Sequence, residues 1–354
     1  MIRVGIIGAN PDRGWAVRAH VPALRALPEQ YTLTAVATSN ADSAQRAGAV
    51  FGAEHVFADY RRLVEHRDVD LVIVSVKVPT HVELVGAAIA EGKHVFSEWP
   101  LTVTTDEARR LADSADAAGV RTAIGLQARF APAITHAADL IAAGKIGRVT
   151  SINTYGARTK GSGSTIPQWL AYTYDRTTGA GALEIAGGHT LDAVRFLVGP
   201  IAVRPAITAI AHPRHTIAET GEVIETTTPD QIVITGDSAE GATVSVSIHD
   251  GVAGPSRARV EISGTEGELA IDTLPTDAPL GAQLQISPLR LREFRHGSWH
   301  DVELPASPGL SEEAVNVAGL YRQFAEDLRT GSRVAPDFRA ATELHQLLDA
   351  LRNS

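Results

Sequence analysis

The residues best placed to do chemistry form a turn near the start, Gly8-Ala9-Asn10-Pro11-Asp12-Arg13-Gly14-Trp15, between a β-branched apolar run and an Ala-rich amphipathic stretch. Small residues in a strand-to-helix turn let the backbone approach a pyrophosphate, and the helix start offers free N–H groups and a positive dipole end. Asn10 stands where the second glycine of G-x-G-x-x-G is expected, and the loop is about two residues longer, so its place after a buried strand carries the assignment. The end of the second strand reads Thr38-Ser39-Asn40, with no carboxylate for a ribose 2′-OH. Hydroxyls and an amide there, with Arg13 in the loop, suit a 2′-phosphate, so NADP is preferred over NAD. Two other readings stay open: Asn40 or Asp42 serves NAD, or Ser39 and Asn40 only cap the next helix.

Proton transfer needs an acid or base, and the candidates are His189, Tyr172, Tyr174, Lys160 and Lys77. His189 titrates near neutrality and is the first choice; the plain alternative is a satisfied histidine at the helix start GGHTLD. Lys77 follows the fourth strand, at the cofactor edge or simply in a solvated loop. Lys160 lies in a glycine-rich loop, a lid over a site or just a loop. Tyr172 and Tyr174 alternate with Ala171 and Thr173, so an extended segment points both one way, to wall a sugar pocket or to pack. There is no cysteine, which excludes thiolate catalysis, disulfides and Cys-based metal sites. The one close histidine pair, in His212-Pro213-Arg214-His215, fits no common zinc spacing and reads as a surface loop, so no metal is expected.

The elements that must position these residues change character along the chain. Strand-like Val4–Gly8, Leu33–Thr38, Asp70–Val76, His94–Ser97 and a weaker Thr122–Gly125 alternate with helical Trp15–Leu27, Ala41–Phe51, Thr80–Glu91 and Thr105–Ala118. VDLVIVSV, from Val69 to Val76, is apolar along its length, as in a parallel strand buried on both faces. This predicts an α/β Rossmann domain with a doubly wound parallel sheet over residues 1–127. From residue 128 to 354 an α+β domain with an open, mostly antiparallel sheet is expected. A helix, Phe130–Ala143, is followed by period-two segments Val149–Tyr155, Ile232–Thr235, Ala242–Ile248, Arg257–Ser263 and Glu268–Ile271, the last two joined by a hairpin turn. Gly161–Ser164 and Gly251–Ser256 read as loops. Helices Ala314–Arg329 and Phe338–Leu351 close the chain and are expected to pack back toward the first domain.

At 354 residues the chain suits two domains, and 44% hydrophobic with 21% charged residues is the balance of a soluble globular protein. A formal net charge of −9 argues against general nucleic-acid binding. No apolar run approaches the ~18 residues of a membrane span, and MIRVGIIGAN leads into a turn rather than a cleavage site, so a cytoplasmic protein is expected.

GIIGAN…AHVPAL, VSVKVPTHVEL, GKHVFSEWPLT, GLQARF and GGHTLDAVRFLVG occur in an order that resembles the glucose–fructose oxidoreductase, inositol dehydrogenase and MocA (Gfo/Idh/MocA) family. The RGWA loop, Glu98-Trp99, LQxR at Leu126–Arg129, YxYD at Tyr172–Asp175 and GHTxD at Gly188–Asp192 resemble its branch containing the fungal galactose-regulon repressor. The resemblance implies a Rossmann domain, a substrate-bearing sheet that often packs on a second subunit as a homodimer or homotetramer, and hydride transfer on sugars or cyclitols. It places Pro79, Glu98 and Pro100 at the cofactor, with Val76, Lys77, His81 and Gln127 on the same edge.

Two departures stand out. Trp99 replaces the lysine of the family's Glu-Lys-Pro triplet. Four residues before His189, where an aspartate is usual, stands Ile185, with Glu184 one step further. Trp99 then either stacks on a substrate or nicotinamide ring or fills a site that no longer reacts. The resemblance therefore supports two functions. One is an NAD(P)-dependent oxidoreductase on a sugar-like or other small carbonyl, or on a C=N or conjugated C=C bond. The other is a non-catalytic dinucleotide-binding regulator.

Overall fold

The structure, a computed structural model, describes residues 1–275, 281–305 and 309–352. The chain divides into two compact units, Met1–Gln127 with Ser307–Glu343, and Ala128–Ala306 with Leu344–Ser354.

In the first unit the apolar runs become six parallel strands, β1 (Ile2–Ile7), β2 (Tyr31–Ala37), β3 (His55–Phe57), β4 (Leu71–Val74), β5 (His94–Ser97) and β6 (Thr122–Ile124). Their order, β3-β2-β1-β4-β5-β6, is doubly wound. All four residues of β4 are fully buried, as expected of a strand covered on both faces. The order reverses between β1 and β4, and doubly wound sheets bind their ligand at the carboxyl ends beside such a switch. The first helical stretch opens as a π turn, Ala16–His20, before α1 (Val21–Arg25). Then come α2 (Ala41–Phe51), α3 (Tyr60–Val64), α4 (His81–Ala90) and α5 (Thr105–Ala118). Thr104 and Glu107 close a reciprocal capping box on α5, and Gly119 ends it at φ 65°. The short elements β3 and α3 were not foreseen.

The second unit begins with α6 (Pro132–Ala142), then β7 (Val149–Arg158), β8 (Thr165–Ile166) and α7 (Gly188–Val198). Strands β9 (Ile201–Val203) and β10 (Ile207–Ala209) follow, with β11 (Arg214–Ile217) and β12 (Val223–Glu225). The long strands are β13 (Gln231–Ser238), β14 (Thr243–Asp250), β15 (Arg257–Gly264) and β16 (Glu268–Thr273), with β17 (Leu289–Arg295) and β18 (Ser298–Asp301). Nine strands make one sheet, β10-β13-β14-β7-β15-β16-β17-β18 with β9 beside β13; β12-β11-β8 form a smaller one. Only β14 and β7 pair parallel in the large sheet, because the chain leaves β7 for α7 before returning. Ile152 and Thr154, Val244 and Val246, and Val260 and Ile262 are buried on one face. The other face is wet: Asn153 and Tyr155 alternate with them, and Arg259 reaches Glu261 at 2.5 Å and Asp272 at 3.6 Å.

The last helices are α8 (Glu312–Thr330), in the first unit, and α9 (Phe338–Arg352), within which the division of units falls. In the first unit α8 sends Tyr321 inward: the Tyr31 hydroxyl donates to the Tyr321 carbonyl at 2.8 Å, and their rings meet edge-on at 5.3 Å. No described helix is long and apolar enough to cross a membrane.

Two local readings are corrected. Gln168–Tyr174 is a 3₁₀ helix and not an extended run, so Tyr172 and Tyr174, two residues apart at three per turn, diverge. Tyr174 is 4% exposed while Tyr172 is half-buried. The His212–His215 segment is no free surface loop: His215 lies on β11 at 2% exposure, and His212 donates its backbone N–H to Asp230 at 2.8 Å.

Candidate functional site

The first unit gathers its candidates at the carboxyl ends of its strands. Gly8 has φ 90°, and a Cβ there would lie 2.3 Å from the Ser75 carbonyl oxygen, so only glycine lets the turn after β1 press on the end of β4. Gly14, at φ 98°, meets nothing within 4 Å and leaves open space above the loop. Asn10 is spent on the turn itself, its side-chain oxygen accepting from the N–H groups of Asp12 at 2.9 Å and Arg13 at 3.2 Å. Arg13 and Gly14 are exposed and Trp15 is half-buried with its indole N–H inside and unpartnered. An open glycine turn leading into a helix, with a buried donor lacking a partner, fits a dinucleotide.

After β2, Thr38 donates to the Asn40 carbonyl at 2.8 Å and Asn40 accepts from the Ser43 N–H at 3.1 Å. Asn40 therefore caps α2, as the plainer reading had it, and Ser39 stays exposed without that duty. After β4, Lys77 and Pro79 are exposed and Val76 half-buried. His81 is different. Its ring is fully buried, with Nε2 and Nδ1 each 3.1 Å from a carbonyl oxygen, that of Val76 and that of Leu101, and as a neutral ring it donates to one of them at a time. It straps together the loops after β4 and β5 and has no free edge for a cofactor, which corrects its expected contact role. Burial pushes this imidazole toward its neutral form.

After β5 come Glu98, partly exposed, then Trp99 at 5% exposure and buried Pro100. A tryptophan this buried suits a space-filling residue better than a flat platform for a ring. Gln127, 2% exposed, keeps a buried side-chain oxygen without a hydrogen-bond partner. Two residues missed from sequence stand behind Glu98. His20, fully buried, has Nε2 3.0 Å from Glu98 Oε1 and Nδ1 2.7 Å from the Tyr321 hydroxyl. The AHVPAL segment and the lone tyrosine of α8 were the signals, but they lie some 300 residues apart, with a sequence separation of 301.

The second unit holds a polar cluster around the end of β7. Arg158 and Asp250 form a buried two-point pair, Nε–Oδ1 2.6 Å and Nη2–Oδ2 2.7 Å, and Arg158 also donates to Gln283 at 3.2 Å. Lys160 Nζ stands 3.8 Å from the same Asp250 and 5.0 Å above the Tyr174 ring. Its side chain is 16% exposed, so it is no swinging lid residue, and Gly251 donates to its carbonyl at 2.8 Å. Burial lowers the ammonium to about 8, partly offset by Asp250. The Tyr174 hydroxyl is buried without a partner, and burial keeps it protonated. Gly161 passes so close that a Cβ would sit 2.6 Å from that hydroxyl. The His215 ring lies 4.4 Å from Tyr174, and His212 contacts Asp230 at 3.0 Å.

Arg158 also lines a cavity with Thr154, Gly156, Thr190, Gln283 and Gln285. His189, just before Thr190 on α7, is 6% exposed with Nδ1 unpartnered. Burial, and then the positive Arg158, push it down to about 3, so it is neutral at any ordinary pH and is not an imidazolium acid. Glu184, in the π turn Leu183–Gly187, pairs with Arg352 at 2.8 Å. Arg129 and Asp192, from two of the quoted motifs, form a two-point pair whose carboxylate is 1% exposed, a structural tie.

Among the described residues one trio, His55, His66 and Asp68, brings metal-ligating atoms within 4.8 Å. The Asp68 N–H donates to His66 Nδ1 at 3.2 Å, which puts the ring's own proton on Nε2 and leaves that nitrogen no lone pair. Arg3 also holds Asp68 at 2.8 Å. The trio is poorly suited to a metal.

Residues 2–126 match the family model described as an oxidoreductase family with NAD-binding Rossmann fold, and residues 132–273 match that of the Gal80p C-terminal domain. The chain is 33% identical over 236 residues to the dehydrogenase aclE of Aspergillus oryzae, covering 64% of this chain and 62% of that protein. It is 27% identical over 290 residues to the galactose/lactose metabolism regulatory protein GAL80 of Kluyveromyces lactis, covering 77% and 64%. These matches span less than two thirds of either relative. A solved levoglucosan dehydrogenase, in complex with NADH and levoglucosan, superposes with TM-score 0.85 at 22% identity over 99% of this chain and 96% of that one. At that identity the likeness is one of fold.

Proposed function

The chain belongs to the Gfo/Idh/MocA oxidoreductase family, with an NAD-binding Rossmann fold and a Gal80p-type C-terminal region, and from that premise we propose that it is an NAD(P)-dependent oxidoreductase of small polyol or carbonyl substrates. The single observation that carries catalysis is the buried cluster of Lys160, Tyr174, Asp250 and Arg158. An ammonium lowered to about 8, beside an unpartnered phenol, is a proton acceptor and donor matched to neutral pH. Dehydrogenase and levoglucosan dehydrogenase relatives support the same class.

The Gly8–Trp15 turn and the ends of β4 and β5 would hold the dinucleotide, which supplies or accepts the hydride when bound. In oxidation, neutral Lys160 takes the proton of the reacting hydroxyl; in reduction, the ammonium returns it to the alkoxide oxygen. Tyr174 presents its hydroxyl to the same substrate oxygen, and Asp250, already held by Arg158, keeps Lys160 in place. His189 serves as a neutral hydrogen-bonding group rather than the acid expected from sequence. Exposed Arg13 and Ser39, with no carboxylate after β2, favour NADP over NAD. The wet face of the large sheet is where a second copy would pack.

Mixing the protein with NAD(P)⁺ or NAD(P)H and a panel of aldoses, cyclitols, ketones and imines, while following absorbance near 340 nm, tests this. Turnover of one substrate class supports the enzyme. Silence across the panel with tight dinucleotide binding overturns it in favour of a second reading, a non-catalytic dinucleotide-dependent regulator. Buried Trp99, in the place of the family lysine, and the Gal80p-type C-terminal match favour that reading.

A further inference from the structure

We infer that His20 and Tyr321 are positioning residues for Glu98, holding its carboxylate as the hydrogen-bond acceptor for a ribose hydroxyl of the bound dinucleotide. This rests on the dinucleotide reading of the first unit and not on turnover.

Glu98 immediately follows β5, at the carboxyl ends where a doubly wound sheet binds its ligand. A carboxylate only accepts hydrogen bonds, and sugar hydroxyls are its natural donors there. Its one ion-pair contact among the described residues is His20, so no guanidinium or ammonium ties up both oxygens. The backbone is cut to fit it. A Cβ on Gly125 would stand 2.7 Å from Oε2 and 2.9 Å from Oε1, so a larger residue after β6 would displace the carboxylate from this position.

Behind it His20 and Tyr321 are fully buried. His20 is wedged edge-on against Phe96 at 5.3 Å, and Tyr321 lies 4.9 Å from the same ring. With the Tyr321 hydroxyl donating to Nδ1, the Nε2 proton of His20 faces Oε1. The Nε2–Oε1 contact at 3.0 Å is bent away from an ideal hydrogen bond, leaving the carboxylate with acceptor capacity for a ligand. Besides Tyr321 on α8, the titratable groups facing these contacts are Tyr31 on β2, whose hydroxyl is committed to the Tyr321 carbonyl, and His81 on α4, held neutral by burial. Burial likewise keeps Tyr321 a phenol.

The test is the dissociation constant for NADP(H) and NAD(H), by calorimetry, in Glu98→Gln, Tyr321→Phe and the double variant. Losing one hydrogen bond to a charged group is a change of about ten- to a hundredfold in Glu98→Gln. Tyr321→Phe should weaken binding about three- to tenfold. In the Glu98→Gln background Tyr321→Phe should change binding less than about twofold, since its effect passes through the carboxylate. The ¹⁵N shifts of His20 in the unchanged protein at neutral pH should report the Nε2–H tautomer. Equal losses from Tyr321→Phe in both backgrounds, no loss in either, or the Nδ1–H tautomer would overturn this arrangement. Should Tyr321→Phe not fold, the tautomer measurement decides alone. A wild-type protein that binds no dinucleotide overturns both readings; one that binds while Tyr321→Phe is silent overturns only this one.

Discussion

Lys160 sits where its proton costs the fold. The side chain is lowered from 10.5 to about 8 by burial, so between those values the unfolded chain binds the proton and the folded one does not. Stability therefore rises with pH through that window, and near pH 7 the buried charge costs up to about 3 kcal/mol. Lys160→Met should leave thermal stability at pH 7 unchanged or raised while removing about 10²- to 10⁴-fold of kcat/KM, the reach of general acid–base catalysis. In the oxidation direction the wild-type kcat/KM should rise with pH through about 8, and in reduction it should fall there. A flat profile would remove Lys160 from the chemistry. Asp250→Asn is the opposite kind of change. It strips the buried Arg158 of its two-point partner and should cost about 3–5 kcal/mol in urea unfolding.

Among the elements, the cap of α5 is a local device with a local price. Thr104→Ala removes the side-chain half of the capping box, while its backbone N–H can still donate to Glu107, and a loss of about 0.5–2 kcal/mol of unfolding free energy should follow with cofactor affinity intact. Gly8→Ala should cost ligand affinity as well as stability. Its methyl would strike the Ser75 carbonyl, so dinucleotide affinity should fall more than tenfold, and unchanged affinity would argue that the turn does not touch the ligand. Elements of this kind were legible in sequence. Ala41–Phe51 and Thr105–Ala118 were read with their final bounds, because a cap residue and a terminal glycine mark each. His55–Phe57 and Ser298–Asp301 were not, since strands this short carry no measurable period. Period alone also misled at Gln168–Tyr174, where alternation of two aromatics mimicked a strand. At the site, Gly8 was readable from its position in the turn. The pairing of His20 with Tyr321 and of Lys160 with Asp250 was not, because nothing local records which distant side chain will arrive.

Across the molecule, histidines buried as neutral rings set an acid limit. His189 falls to about 3 and His345 to about 4, against 6.5 for the free side chain. The unfolded chain gains these protons first, so their contribution is full above 6.5 and is lost as pH falls toward 4. His345 alone accounts for about 3 kcal/mol. The melting temperature should drop steeply from pH 6.5 to 4, and His345→Gln should flatten that slope. The wet sheet face, with Tyr155 and the Arg259–Asp272 ladder, bears on assembly. If a second copy packs there, Arg259→Glu should lower the mass seen by light scattering, whereas a mass unchanged from the wild type would put any interface elsewhere.

The arrival of Tyr321 at His20 and Tyr31 also has a consequence for biosynthesis. The first six strands leave the ribosome early, but the helix that seals their core is translated only after residues 128–306. The nascent dinucleotide unit must therefore wait, open along one flank, while the whole second unit is made. It can close only after translation has passed α8, so chaperone dependence and sensitivity to premature stops should concentrate in that interval.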